Sequence, residues 1–168
     1  MLHLYQGIAP KLDDSVFRVG SAEIIGDVEI GAQSSVWFHV VIRGDVNFIR
    51  IGQRTNIQDG TVIHVTHKKH PTWLGDDVTV GHNVTLHGCT IGNRCLIGMG
   101  AVVMDAAVVE DDSMVAAGAL VTPGTRVTSG TLFAGSPAKY KRHLSDAEIA
   151  NLKKSAQNYL NYVESYKL

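Results

Sequence analysis

Apolar residues recur every six positions through the second half of the chain, at Ile91, Ile97, Val103, Val109, Val115, Val121, Val127 and Phe133. Four positions after each of the first seven stands a smaller residue: Cys95, Ala101, Ala107, Ser113, Ala119, Thr125 and Thr131. Neither the 3.6-residue helical period nor strand alternation produces this pattern. A parallel β-helix does. Each hexad is a short strand and a corner, and three hexads close one coil. The larger residue points into the prism, the smaller one fills the corner, and the residues between face out. The same grammar appears earlier. Ile30, Val36 and Ile42 carry Ser34 and Val40; Ile51, Ile57 and Ile63 carry Thr55 and Thr61; Leu74, Val80 and Leu86 carry Val78, Val84 and Thr90.

The period breaks twice. The step from Ile42 to Ile51 is nine, so RGDVNF reads as a small insertion. The step from Ile63 to Leu74 is eleven, and VTHKKHPTW, with Pro71, reads as a bulge or loop. Interruptions of a strict repeat are places where function is carried.

Ser145 and Glu148 form a capping box. After them Ile149, Leu152, Ala156, Tyr159, Leu160 and Val163 recur at helical spacing. The expected division is a β-helix over 1–140 and a helix packed on it over 141–168. The basic run Lys139, Lys141, Arg142 and His143 reads as a solvated turn.

Bulk properties narrow the function. Net charge is −1 over 168 residues, which argues against nucleic acid as a partner and leaves small molecules or proteins. The first residues show neither a basic leader nor a long apolar run, so no signal and no membrane span are expected. With only two cysteines, a reducing cytoplasm is the expected location.

Three histidines stand beside inward hexad positions: His64 after Ile63, His87 after Leu86, and His82 two after Val80. All three face outward by the hexad rule. His64 and His82 are also eighteen apart, nominally one coil. Three imidazoles and an open position suit a catalytic zinc, and iron or cobalt accept the same donors. The other reading is three scattered surface histidines. A metal on the outside of a prism needs a second surface to shelter it, which a symmetric oligomer supplies. Arg43 and Asp45 read as an ion pair. Gln58 faces out as His64 does and can hydrogen-bond a metal-bound water. Asn56 and Asp59 read equally well as turn residues.

SVWFHVVIRGDVNFIRIGQRTNIQDGTVIHVTH followed by PTWLGDDVTVGHNVTLHGCTIGNRCLIGMGAVV closely resembles the gamma-class carbonic anhydrase family, in particular its bacterial branch with a short loop after the first ligand. The resemblance spans nearly the whole chain. It implies an all-β, left-handed parallel β-helix of hexapeptide repeats with a C-terminal α-helix, assembled as a homotrimer. It implies a metal held by His64 and His87 of one subunit and His82 of its neighbour, and an intersubunit ion pair of Arg43 and Asp45. It makes Gln58 a partner of the metal-bound water with Asn56 nearby, and Tyr159, ahead of Tyr162 and Tyr166, the helix tyrosine that approaches the site. The implied reaction is reversible hydration of carbon dioxide to bicarbonate by a metal-bound hydroxide.

The chain departs from the best-studied members in two places. Val46 replaces a glutamate after the RGD aspartate, and the loop VTHKKHPTW carries no carboxylate. His67 or His70 is the candidate substitute proton shuttle, because imidazole titrates near neutrality. Hydrolysis of an acyl-CoA thioester, hexapeptide acyl transfer and a non-catalytic metal-binding scaffold are the competing functions, since one fold hosts many.

Overall fold

The hexads close into coils of three short strands in the computed structural model, which describes residues 1–166. Three faces result. On the first, Leu86 lies in register between Ile63 and Val103, and Val103 pairs with Val121. On the second, Ile91 lies between Leu74 and Val109, and Val109 pairs with Val127. On the third, Val80 lies between Ile57 and Ile97, and Ile97, Val115 and Phe133 follow in turn. All these pairings are parallel. The apolar hexad residues from Ile30 to Phe133 are buried, as are most of the small corner residues. Burial of each such side chain contributes roughly 1.5–3 kcal/mol, and the solenoid adds these rung by rung.

RGDVNF carries the expected small insertion, since Gly26 pairs with Gly44 and Val28 with Ile49, and it lies within one continuous strand, Val41–Ile51, that turns the corner between the first and second faces. The structure corrects the sequence reading at three points. The turn after Leu86 is one residue short, so Cys89 fills the buried corner and Thr90 is exposed. The basic run is a strand, Lys139–His143, exposed throughout and antiparallel to Thr131–Ala134. His64 and His82 do not share a rung: the eleven-residue step moves the register, and His64 pairs with His87.

The terminal helix is Asp146–Tyr166. Its capping box forms as expected: Ser145 N donates to Glu148 Oε2 at 2.9 Å, and Glu148 N donates to Ser145 Oγ at 3.3 Å. Leu152, Ala156 and Val163 are buried, and the helix lies along the third face, against Ser35–Val36 and Thr79–Val80. No helix among the described residues is long and apolar enough to cross a membrane.

One corner is tied by ion pairs between rungs. Arg54 grips Asp77 with two hydrogen bonds, at 2.7 and 2.8 Å, and Arg94 grips Asp112 at 2.6 and 2.9 Å. All four residues have positive φ, a strained conformation for L residues that the forks help to hold. The hydrogen bonds from Arg54 hold the Asp77 carboxyl below its usual range, against the opposing effect of burial. A depressed folded-state pKa contributes stability above the unfolded value, about 3.9, that is lost as pH falls through the folded one. Asp77→Asn should therefore cost about 1 kcal/mol at pH 7. The deficit should shrink in urea titrations run progressively below about pH 4, where the wild-type carboxylate itself becomes protonated.

Candidate metal centre

His64 ends the strand Val62–His64 and His87 ends Thr85–His87, so the parallel register sets the two rings on adjacent rungs of the first face. His64 Nδ1 and His87 Nε2 face each other at 3.2 Å. The far nitrogen of each ring meets a carboxylate: His64 Nε2 lies 3.0 Å from Asp45 Oδ1, and His87 Nδ1 lies 2.9 Å from Asp105 Oδ1. Burial pushes both carboxyls up. Hydrogen bonds from His64 and Arg43 to Asp45, and from Thr66 and His87 to Asp105, outweigh it and hold both below the ordinary range.

An ionised carboxylate only accepts, and a neutral imidazole has a single N–H. Each ring spends that N–H on its carboxylate. With both rings neutral, the two facing nitrogens are left as lone pairs 3.2 Å apart, an arrangement that a cation between them completes. Two nitrogens bound tetrahedrally to zinc at 2.0–2.1 Å stand roughly 3.3 Å apart. The pair thus fits half of a zinc site, with carboxylate-oriented imidazoles of the kind metal centres use.

His82, Asn56 and Gln58 lie on another face. His82 follows Thr79–Val80 on the third face, and its Nδ1 meets Asp59 Oδ2 at 2.8 Å. Among the described residues of one chain, no three His, Cys, Asp or Glu side chains are arranged to hold a metal ion. Asn56 and Gln58 belong to the face of His82. Gln58 Nε2 donates to Asn56 Oδ1 at 3.0 Å, Asn56 Nδ2 donates to Thr79 Oγ1 at 3.1 Å, and Thr79 Oγ1 donates to Ser155 Oγ of the helix at 3.1 Å. This relay turns the Gln58 amide nitrogen inward and leaves its oxygen for an incoming group. Gln58 and His82 line one cavity of about 350 Å³ with Leu96, Met99 and Met114.

Arg43 pairs with Asp45 of its own chain. Tyr159 stacks edge-on against Trp37 at 5.5 Å. Burial, and then the charge of Asp59, push its phenol up to about 12, so it stays protonated. That puts Tyr159 beside the carboxylate that holds His82, whereas Tyr162 and Tyr166 are more exposed. His67 is exposed at the tip of the loop closed by the Thr66–His70 bridge; His70 is half-buried, near Asp105 and beside Gly88.

Sequence reasoning missed Asp105, Thr66, Thr79 and Ser155. Asp105 was findable, since it stands a nominal coil of eighteen after His87, although the shortened turn, which pairs Leu86 with Val103, places it one residue beyond the rung position above His87. Asp59, left between two readings in the sequence, meets His82 in the structure.

Comparison with known proteins adds the following. The family model for the bacterial transferase hexapeptide (six repeats) matches residues 71–103 and 88–123. A protein named carbonic anhydrase from Geobacillus kaustophilus is 40% identical over 99% of this chain and 91% of its own length. The mitochondrial gamma carbonic anhydrase 1 of Arabidopsis thaliana is 48% identical over 94% of this chain, which spans 59% of that longer protein. The crystal structure of a hexapeptide transferase family protein from Anaplasma phagocytophilum superposes with a TM-score of 0.95, at 48% identity, covering 98% of this chain and 97% of that one.

Proposed function

Because the chain belongs to the gamma-class carbonic anhydrase family, we propose that it catalyses reversible hydration of carbon dioxide at a metal site shared between subunits of a homotrimer. The observation that carries this reading is the pair of ring nitrogens of His64 and His87 that face each other at 3.2 Å, each ring held from behind by a carboxylate. His82 supplies the third donor from a neighbouring subunit, because in its own chain it projects from a different face. A zinc ion held there, or iron or cobalt, supplies the Lewis acidity that makes a hydroxide nucleophile available near neutral pH.

The chain's own residues do the rest. Asp45, Asp59 and Asp105 hold the three imidazoles in orientation. Gln58 presents an acceptor oxygen that orients the attacking hydroxyl, with its amide locked by Asn56. The neighbouring subunit covers the site and excludes bulk water. The proton that must leave passes to His70, the imidazole set nearest the His87–Asp105 pair, in place of the carboxylates the loop lacks.

Metal analysis of protein purified with and without oxygen, paired with carbon dioxide hydration before and after chelation, tests the reading. Metal-free protein that stays inactive after reloading would sink it. His70→Ala should lower hydration several-fold in weak buffer and recover in imidazole buffer, while His67→Ala should not. A double variant with unchanged buffer dependence removes both from the proton path.

One observation favours a second reaction at the same site. The cavity beside His82 and Gln58 is far larger than a triatomic substrate needs and is lined by Leu96, Met99 and Met114. It suits an acyl group, and hence hydrolysis of an acyl thioester by the same centre. Chelation abolishes both reactions; an acyltransferase with a histidine base would survive it, and a scaffold would bind metal and turn over neither substrate.

A further inference from the structure

The two breaks in the repeat meet in space. Asn47, from the RGDVNF segment, donates from Nδ2 to the Thr66 carbonyl at 3.1 Å, and Lys68 N donates to the Val46 carbonyl at 3.2 Å. The loop that begins at Thr66 is thus fastened to the strand that carries Asp45. Its own hairpin closes with Thr66 N donating to the His70 carbonyl at 2.9 Å. This leaves the Thr66 hydroxyl aimed at one target. Oγ1 donates to Asp105 Oδ1 at 2.5 Å, the same oxygen that accepts from His87 Nδ1 at 2.9 Å.

Space for this contact is made at Gly88, the residue after His87. A Cβ built there would lie 2.3 Å from Asp105 Oδ1 and 2.9 Å from His70 Cβ, and Gly88 has a positive φ of 57°. A side chain at 88 would displace the Asp105 carboxylate.

We infer that Thr66, through Asp105 and in the space left by Gly88, is a positioning residue that latches the short loop to the His87 imidazole. This rests on the metal-site reading given above. The Thr66 hydroxyl fixes where Asp105 Oδ1 lies. Asp105 in turn fixes the N–H on His87 Nδ1 and leaves Nε2 bare toward His64. The loop that lacks the family's acids acquires a different task, holding a ligand ring from behind. A merely structural Thr66 would stabilise the loop hairpin and leave the tautomer of His87 untouched.

The test uses full-length oligomeric protein and the variants Thr66→Val, Thr66→Ser, Asp105→Asn and Gly88→Ala. Nitrogen NMR of the metal-free protein reads the tautomer of His87. Zinc titration by calorimetry reads affinity. Wild type and Thr66→Ser should hold His87 as the Nδ1–H tautomer, and Thr66→Val and Asp105→Asn should populate both. Zinc affinity should fall by about 10- to 100-fold in Asp105→Asn and about 3-fold or more in Thr66→Val, with Thr66→Ser near wild type. Gly88→Ala should resemble Asp105→Asn. If the His87 tautomer in Thr66→Val matches wild type, the assignment is overturned. Tautomers that shift as expected in the variants, with wild type taking up none of zinc, iron and cobalt, uphold the latch and overturn the metal reading instead.

Discussion

His64→Ala and His82→Ala should each leave a folded oligomer that retains no tightly bound divalent metal and hydrates carbon dioxide no faster than chelated wild type. The two losses have different local causes. His64 stands on the first face, 3.2 Å from His87, and its loss removes one of two preorganised donors. His82 stands on the third face, paired with Asp59, where it contacts neither of the others within its chain. A three-donor site emptied by either change means that the faces meet between subunits. Elemental analysis of the purified variants, with stopped-flow hydration on the same samples, reads both effects. Folding should survive because neither ring is part of the aliphatic stack: both side chains are partly exposed.

The largest loss of stability should follow from the stack itself. Leu86 is fully buried, in register between Ile63 and Val103, and its chain neighbour is His87. Leu86→Ala should cost about 2–5 kcal/mol, because a prism walled by three hydrogen-bonded faces has little room to collapse into the cavity. In a domain of this size that lowers the melting temperature by roughly 5–15 °C. Thr90→Ala should stay within about 0.5 kcal/mol, because Thr90 is exposed. A large effect at Thr90 would mean that it, and not Cys89, fills the corner. Zinc affinity of Leu86→Ala should fall as well, since the rung that carries His87 loses its anchor.

The stack was legible in the sequence because the inward residue of a hexad is under one constraint repeated on every coil. Ile97, Val103 and Val109 have no alternative but to be large and apolar. The helix was legible for a similar reason, since Ser145 and Glu148 mark its start and Leu152, Ala156 and Val163 its buried side. Register around the site was less so. Five extra residues between Ile63 and Leu74 shift the pairing, so counting eighteen from His64 arrives at His82 while the structure pairs His64 with His87. The carboxylates behind the histidines were hidden because a polar residue on an outward position satisfies the hexad pattern whatever it touches. Asp45 looked committed to Arg43 and also holds His64. Asp105 sits where the repeat tolerates any polar group, and its meaning comes from Thr66 and His87 on neighbouring coils.

The claim that the centre is shared has a direct measurement. Chains carrying His64→Ala and chains carrying His82→Ala, co-expressed with different tags and purified as mixed oligomers, are each defective alone. In a cyclic trimer that contains both chains, about one interface in three joins an intact His64–His87 pair to an intact His82. The shared-site account predicts that the purified mixed trimers regain metal and carbon dioxide hydration to about a third of the wild-type level. Mixed oligomers that stay as empty and inactive as the two parents would contradict it.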